Sequence, residues 1–264
     1  MSNTRRSSRP PQKQATPLTT QVVVAVVVLL CIGAVVFVSV QAGGDDQTGS
    51  ESQPTDAQGV GQAPTDAPKS QEPGLGECAE PPAPPARPKT YAEAPDPAEA
   101  GGAASTATIV TSCGDIVVEL DGEAAPQTVA SFRFLSQDGY YDDSPCHRLT
   151  TAGIFVLQCG DPTGTGSGGP GYSFGVENAP ADGVYPPGTL AMARGQDPNT
   201  NGGQFFFVYD KTSLPDPNGY TIFGTVTEGL DIVERIAQQG VDGGAGDGAP
   251  AQPISILDVS VEES

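Results

Sequence analysis

The sequence predicts a mainly β fold: a closed eight-stranded antiparallel barrel capped by two α-helices, preceded by one transmembrane helix and a disordered linker. Three observations carry this. Eight short β-branched or aromatic runs, separated by Gly, Pro and Asn, lie between residues 105 and 261. Two further runs there repeat their apolar residues at helical spacing. Upstream, an unbroken apolar stretch is followed by a long segment with no hydrophobic period.

Composition bounds the function. With 34 Gly, 26 Pro and 6% aromatic residues in 264, part of the chain is expected to remain unpacked. A net charge of −20 argues against nucleic-acid binding, which needs clustered Lys and Arg. The acidic balance reports solubility and names no partner.

Residues 1–20 hold Arg5, Arg6, Arg9 and Lys13 and no acid, as a cytoplasmic tail would. Residues 22–40 are then almost wholly Val, Leu, Ile, Ala and Phe, long enough as a helix to span roughly 29 Å, the thickness of a bilayer core. The transmembrane helix is placed at 21–40, with Asp45 and Asp46 following it, so the chain beyond is expected outside a single-pass cell-membrane anchor. A cleaved signal peptide, with Val40 and Ala42 as its small-residue pattern, is the rival reading, but the apolar core is long for one. Leu29-Leu30 before Cys31 does not fit a lipid-modified cysteine.

Residues 41–104 are read as a disordered Pro/Ala/acidic linker. Between 41 and 100 there are 11 acids, three bases and 11 prolines, too little apolar surface to offset chain entropy.

The folded domain is placed at 105–264. Its strands are expected at 108–110, 116–120, 146–150, 154–159, 189–194, 204–209, 220–226 and 253–261. Pro126 opens a helix through 138 that sets Val129, Phe132 and Leu135 on one face, and Gly139 ends it. A second helix, 228–239, aligns Leu230, Val233 and Ile236 or Ala237. The Gly/Pro/Asn-rich stretches 161–188 and 195–203 are surface loops.

Chemistry concentrates in 146–161, CHRLTTAGIFVLQCGD, and in 203–207, GQFFF. The first reads as a hairpin with Arg148 on one strand and Gln158 on the other. A guanidinium and a carboxamide beside an apolar floor suit gripping a peptide bond while a ring sits in a greasy pocket. No nucleophile with its base accompanies them, which points to catalysis by conformational strain. Cys146 and His147 are strand neighbours pointing to opposite faces, so they make no dyad. His147, the only histidine, is no zinc site and reads as a core residue with its ring nitrogens bonded to backbone. The run 164–169, GTGSGG, lacks the helix and Lys-Ser/Thr pair of a phosphate loop. Cys78, Cys113, Cys146 and Cys159 would lie outside the membrane, where an even count predicts disulfides with three possible connectivities. Cys146 and Cys159 would face each other across one hairpin, and Cys78 paired to a barrel cysteine would staple the linker's end.

Five blocks in order, His147-Arg148, the run FVLQCGD at 155–161, Ala191-Met192-Ala193, the run PNTNGGQFF at 198–206 and Phe223-Gly224, resemble the signature of cyclophilins. The resemblance covers roughly 105–261 and is closest to membrane-anchored actinobacterial members. It implies a peptidyl-prolyl cis–trans isomerase on an eight-stranded barrel with two capping helices, acting without a cofactor on proline-containing polypeptides as a monomer. By this resemblance Arg148 is the catalytic arginine and Gln158 the glutamine that orients the peptide. Phe155, Val156, Phe206 and Leu214 would line the proline pocket. Ala193 and Arg194 would offer the strand edge to the substrate backbone, Gln204 the second amide, Gly166 the groove rim, and Tyr220 a position often held by histidine. The chain departs from the family in two extra residues between Arg148 and Phe155, in Arg194 for the usual asparagine and in Gln196 inserted after Gly195. It has no tryptophan, so weak cyclosporin binding is expected. A proline-peptide module without catalysis, its Arg148 displaced by the longer turn, and a holding chaperone at the membrane surface are the alternatives.

Overall fold

Every second side chain is buried from Ser105 onward, the pattern of a strand with one face on a core. The structure, a computed structural model, describes residues 77–100 and 104–263. The expected cytoplasmic tail, membrane helix and first part of the linker lie outside those residues. Among the described residues no helix is long and apolar enough to cross a membrane.

Strands β1 (Ser105–Thr111) and β2 (Gly114–Leu120) form a tight hairpin with Ile109 opposite Ile116. Pro126 then opens α1 (Pro126–Gln137), in the turn where its missing N–H costs nothing. Ala125 brings no capping side chain. Instead the Glu177 carboxylate, far along the chain, accepts from the Gln127 and Thr128 amides at 3.0 and 2.9 Å. An acid at the positive end of the helix satisfies donors that have no partner within it. Gly139, at φ 64°, allows the two reversed bonds of a Schellman stop, from its own N–H to the Ser136 carbonyl and from Tyr140 N–H to that of Leu135.

There follow β3 (Ser144–Pro145), β4 (Arg148–Ala152), β5 (Ile154–Cys159), β6 (Val184–Tyr185), β7 (Thr189–Met192), β8 (Phe205–Val208), β9 (Thr212–Ser213) and β10 (Ile222–Glu228). Helix α2 (Leu230–Gln239), β11 (Asp247–Gly248) and β12 (Ser255–Glu263) complete the chain. Helix α2 buries Ile232, Val233 and Ile236, so Ile232 takes the place expected for Leu230.

Ten strands form one sheet in the order β11-β4-β5-β8-β7-β10-β2-β1-β12-β3, with β6 and β9 paired apart. The expected closed barrel is corrected to a curled sheet. Its two edges are the two-residue strands β11 and β3, with no ladder between them among the described residues. Pro145 in β3 has no N–H to extend a ladder. The curl follows from connectivity: β3 lies at one end of the order, yet only Cys146 and His147 separate it from β4, next to the other end.

Period-two alternation divides the central strands between two apolar clusters. On β8 all four residues are buried: Phe205 and Phe207 join the main core with Leu157 and Leu190, whereas Phe206 and Val208 join a smaller cluster with Val156 and Ala191. That second cluster is the floor of the site.

The linker reading is corrected for residues 77–100, which pack on the domain. Cys78 is bonded to Cys113, Ala79 N–H donates to the Ser112 carbonyl, and Tyr91 N–H donates to that of Pro170 at 2.7 Å. The Tyr91 ring meets Phe134 edge-on at 4.8 Å, and its hydroxyl donates to Asp138 at 2.8 Å. One disulfide and one buried-edge aromatic supply the anchorage that composition alone understates.

Candidate active site

Strands β4 and β5 pair with Arg148 directly opposite Gln158, so the two extra hairpin residues leave these side chains in register. Arg148 donates from Nη1 to Gln158 Oε1 at 3.2 Å. Gln158 Nε2 donates to Gln204 Oε1 at 2.8 Å, and Gln204 Nε2 donates to the carbonyls of Gly166 and Gly168 at 3.1 and 2.8 Å. The remaining face of Arg148 is gripped by Asp247, with Nε to Oδ1 and Nη2 to Oδ2 both at 2.7 Å. These bonds from Asp247 hold Arg148 above its already high ordinary pKa, against the opposing effect of burial, and hold the Asp247 carboxyl below the usual range. A guanidinium has five N–H donors. Three are used here, so two are left for a ligand.

Beside this chain of polar groups lies a cleft of about 450 Å³. Val156, Ala193, Phe206, Leu214 and Tyr220 line it, with Arg148, Gln158, Gly166 and Arg194. Phe155 is not among them. Gln158 faces the cleft, so the alternation of β5 brings Val156 and Ile154 to the same side and turns Phe155 away. The Phe155 ring instead meets Tyr209 at 6.0 Å and lines a separate surface hollow with Pro187 and Glu234. Ile154 supplies the apolar wall assigned to Phe155.

Tyr220 is fixed from three sides. The Phe206 ring lies 5.9 Å away, the Arg194 guanidinium sits 4.5 Å from the Tyr220 ring centre, and the Tyr185 hydroxyl accepts from Tyr220 N–H at 2.8 Å. Arg194 directs its side chain inward, to Asp216 at 2.7 Å and to the carbonyls of Gly219, Gly195 and Gln196. Its guanidinium is therefore a brace of the loop. Its backbone N–H and carbonyl have no internal partner among the described residues, whereas Ala193 N–H is used by the Gln204 carbonyl.

The loop that carries the rim glycine, Gly166, is held by Asp161, which is fully buried. Asp161 accepts from Thr163 N–H at 2.8 Å, Thr163 Oγ1 at 2.7 Å and Gly168 N–H at 2.9 Å. Burial raises its pKa, but these bonds and the nearby His147 outweigh that and hold it below the ordinary value. A side chain at Gly168 would put its Cβ 2.0 Å from Asp161 Oδ1, which is why the position is glycine. The expected bonding of His147 is corrected: the ring is half-buried, lines the cleft, and neither nitrogen has a partner among the described residues. Burial and then Arg148 oppose its protonation, more than Asp161 favours it.

Cys146 is bonded to Cys159, and Cys78 to Cys113. The residues that sequence reasoning missed are Asp247, Ile154, Tyr185 and Asp161. Two carried a signal: Ile154, at even spacing from Gln158 on one strand, and Asp161, an acid followed by a Thr/Gly-rich loop.

Fold and cleft together define a class: a curled β-sheet protein with an open groove on its outer face, apolar at one end and hydrogen-bonding at the other. Residues 106–261 match the model for cyclophilin type peptidyl-prolyl cis-trans isomerase/CLD, and the chain belongs to that family. It is 42% identical over 190 residues to a probable peptidyl-prolyl cis-trans isomerase B of Mycobacterium tuberculosis, a match covering 66% of this chain and 58% of the relative. It is 39% identical over 177 residues to peptidyl-prolyl cis-trans isomerase A of the same organism, covering 60% of this chain and 93% of that one. The chain thus spans somewhat over half the length of the first relative and nearly all of the second. A cyclophilin type isomerase of Cryptosporidium parvum, solved with the dipeptide Ala-Pro, superposes with a TM-score of 0.51 at 34% identity, covering 60% of this chain and 99% of that one.

Proposed function

We propose that the protein is a peptidyl-prolyl cis–trans isomerase that accelerates rotation about X–Pro bonds. The observation that carries this is Arg148, held in register opposite Gln158 at the rim of an apolar cleft, with two N–H donors unspent. The X–Pro amide resists rotation by about 18–20 kcal/mol because the nitrogen lone pair is delocalised. Twisting returns that pair to nitrogen, where Arg148 can donate to it only in the transition state. A ~10⁵-fold gain needs about 7 kcal/mol. One charged hydrogen bond supplies about 1.5–3 kcal/mol. The rest is assigned to fixing the ring against Val156, Phe206 and Leu214, and to holding the flanking backbone at Gln158 and the Arg194 edge.

The test is two-dimensional NMR exchange on a peptide containing one Ala–Pro bond, with the full chain and with Arg148→Ala. Catalysed exchange that collapses in the variant supports the reading. Binding without acceleration in the parent would replace it with a non-catalytic docking module.

Location belongs to the same proposal: a single helix at 21–40 anchors the domain outside the cytoplasm, where it assists folding of proline-containing clients. Support comes from the apolar run and from four cysteines paired as two disulfides, bonds that persist in oxidising compartments. Protection of the domain from protease added to intact cells would count against it.

A further inference from the structure

Asp247 lies within the matched span but outside the five blocks that carry the resemblance, in a Gly/Ala-rich stretch between α2 and β12. Its loop is nonetheless braced. Strand β11 pairs with β4 at Thr150 and Leu149, Thr151 N–H donates to the Gly246 carbonyl at 2.9 Å, and Asp242 N–H donates to that of Ala249 at 2.8 Å. Val241 and Pro250 bridge the base of the loop. The backbone that carries the carboxylate is thus held in place, and the carboxylate meets Arg148 through two parallel bonds of 2.7 Å.

We infer that Asp247 is a positioning residue for Arg148: its carboxylate fixes the plane of the guanidinium so that the two unspent N–H groups stay aimed into the cleft. The inference rests on the isomerase reading. A long, part-exposed arginine loses its aim unless several bonds orient the planar group, and the single bond to Gln158, at 3.2 Å, leaves rotation about its own axis free. Stability is not the reason for the pair. Both side chains are partly exposed, 38% for Arg148 and 56% for Asp247, and such pairs add little to folding. A charge argument runs the other way, since a carboxylate partly offsets the cation that must donate to the prolyl nitrogen. Orientation outweighs it here because two donors remain free and misplacement of a catalytic group costs more than attenuation.

The experiment compares the full chain with Asp247→Asn, Asp247→Ala, Asp247→Glu and Arg148→Ala, using isomerisation of an Ala–Pro peptide and the Arg148 Nε–H signal in NMR. Asp231→Asn, which breaks an exposed helical pair outside the cleft, is the control. The expected result is that Asp247→Asn and Asp247→Ala lower kcat about 10-fold with KM within about twofold, as loss of orientation without loss of binding requires. Asp247→Glu restores part of the loss. The Nε–H signal, slow to exchange in the parent, broadens in the Asn variant, and unfolding midpoints stay with that of the control. Near-parental or raised kcat in Asp247→Asn, alongside a collapsed Arg148→Ala, overturns the positioning role alone. Full activity in Arg148→Ala overturns the isomerase reading beneath it.

Discussion

Gln158 Nε2 donates to Gln204 Oε1 at 2.8 Å, and the direction of that bond is dictated by its neighbours. Arginine can only donate, so Gln158 must turn its oxygen to Arg148 and its nitrogen to Gln204. The carbonyls of Gly166 and Gly168 can only accept, so Gln204 must turn its nitrogen to them. Both ends of the relay therefore demand one orientation of each amide, and the guanidinium and the groove rim are linked through two rigidly oriented side chains.

Gln204→Glu is expected to break this relay more severely than Gln204→Ala. The new carboxylate would face two carbonyls with no proton to offer, pushing the 166–168 rim away, whereas alanine only removes the bonds. We expect kcat/KM for an Ala–Pro peptide to fall about 10-fold in the Glu variant. A Glu variant as active as the Ala variant would show that the rim does not depend on the orientation of this amide.

Arg148→Lys is expected to lose most activity, about 10²-fold, even though the charge is kept. A single ammonium cannot meet both oxygens of Asp247 and Gln158 Oε1 while also presenting donors to the cleft. Peptide exchange rates measured beside Arg148→Ala give the comparison. Near-parental turnover in the lysine variant would mean that charge alone suffices.

Asp161 makes an acid-dependent contribution whose sign follows from its lowered pKa. Its folded value lies below the unfolded one of about 3.9, so the stabilisation is complete above that value and is lost as pH falls through the folded pKa. Asp161→Asn is expected to cost about 2–3 kcal/mol near neutrality, where a buried acceptor of several bonds is weakened. The gap in urea midpoint between parent and variant should then narrow as pH falls below the unfolded value of about 3.9. The other carboxylates are common to both proteins and cancel in that difference. A gap that is constant with pH would remove Asp161 from the acid response.

The eight long strands and both helices were legible because each carries a local signal: β-branched runs, a helical period, Pro126 at an N-terminus and Gly139 at a stop. The pairing of Arg148 with Gln158 was legible for the same reason, being set within one hairpin. What could not be read depends on distant partners. The side of Phe155 is the exception, since it was legible and missed: with Gln158 in the cleft, the period of two along 154–159 already puts Val156 and Ile154 beside it and Phe155 on the opposite face. Asp247 is one acid in a glycine-rich loop, and its role appears only when β11 meets β4. The arm at 77–100 has the composition of a linker, yet Cys78 and Tyr91 fix it to surfaces that lie far along the chain. Linear edges in place of a closed barrel likewise depend on two-residue strands too short to leave a pattern.

The disulfide between Cys146 and Cys159 brackets the hairpin that carries the candidate site, with His147 and Arg148 following one cysteine and Gln158 preceding the other. Its 13-residue separation corresponds to about 3 kcal/mol of loop-closure entropy. A Cys146→Ser/Cys159→Ser variant is expected to unfold at lower urea and to lose kcat/KM severalfold, as the end of the hairpin frays. Unchanged activity together with reduced stability would confine the bond to a structural role.

The bond between Cys78 and Cys113 acts on a different link, the attachment of the arm to the domain. It closes a longer span, 35 residues, worth about 4 kcal/mol in the same entropic account. Yet the arm also holds through Tyr91, whose ring contact with Phe134 and hydroxyl bond to Asp138 do not need the disulfide. Cys78→Ser/Cys113→Ser is therefore expected to lower the melting temperature by about 10 °C, a little under the full entropic value. Adding Tyr91→Ala should then expose the arm to proteolysis while peptide isomerisation continues, because no residue of 77–100 lines the cleft. Loss of isomerisation on releasing the arm would instead place it in the machinery, acting through Pro170, whose carbonyl accepts from Tyr91 next to the rim loop.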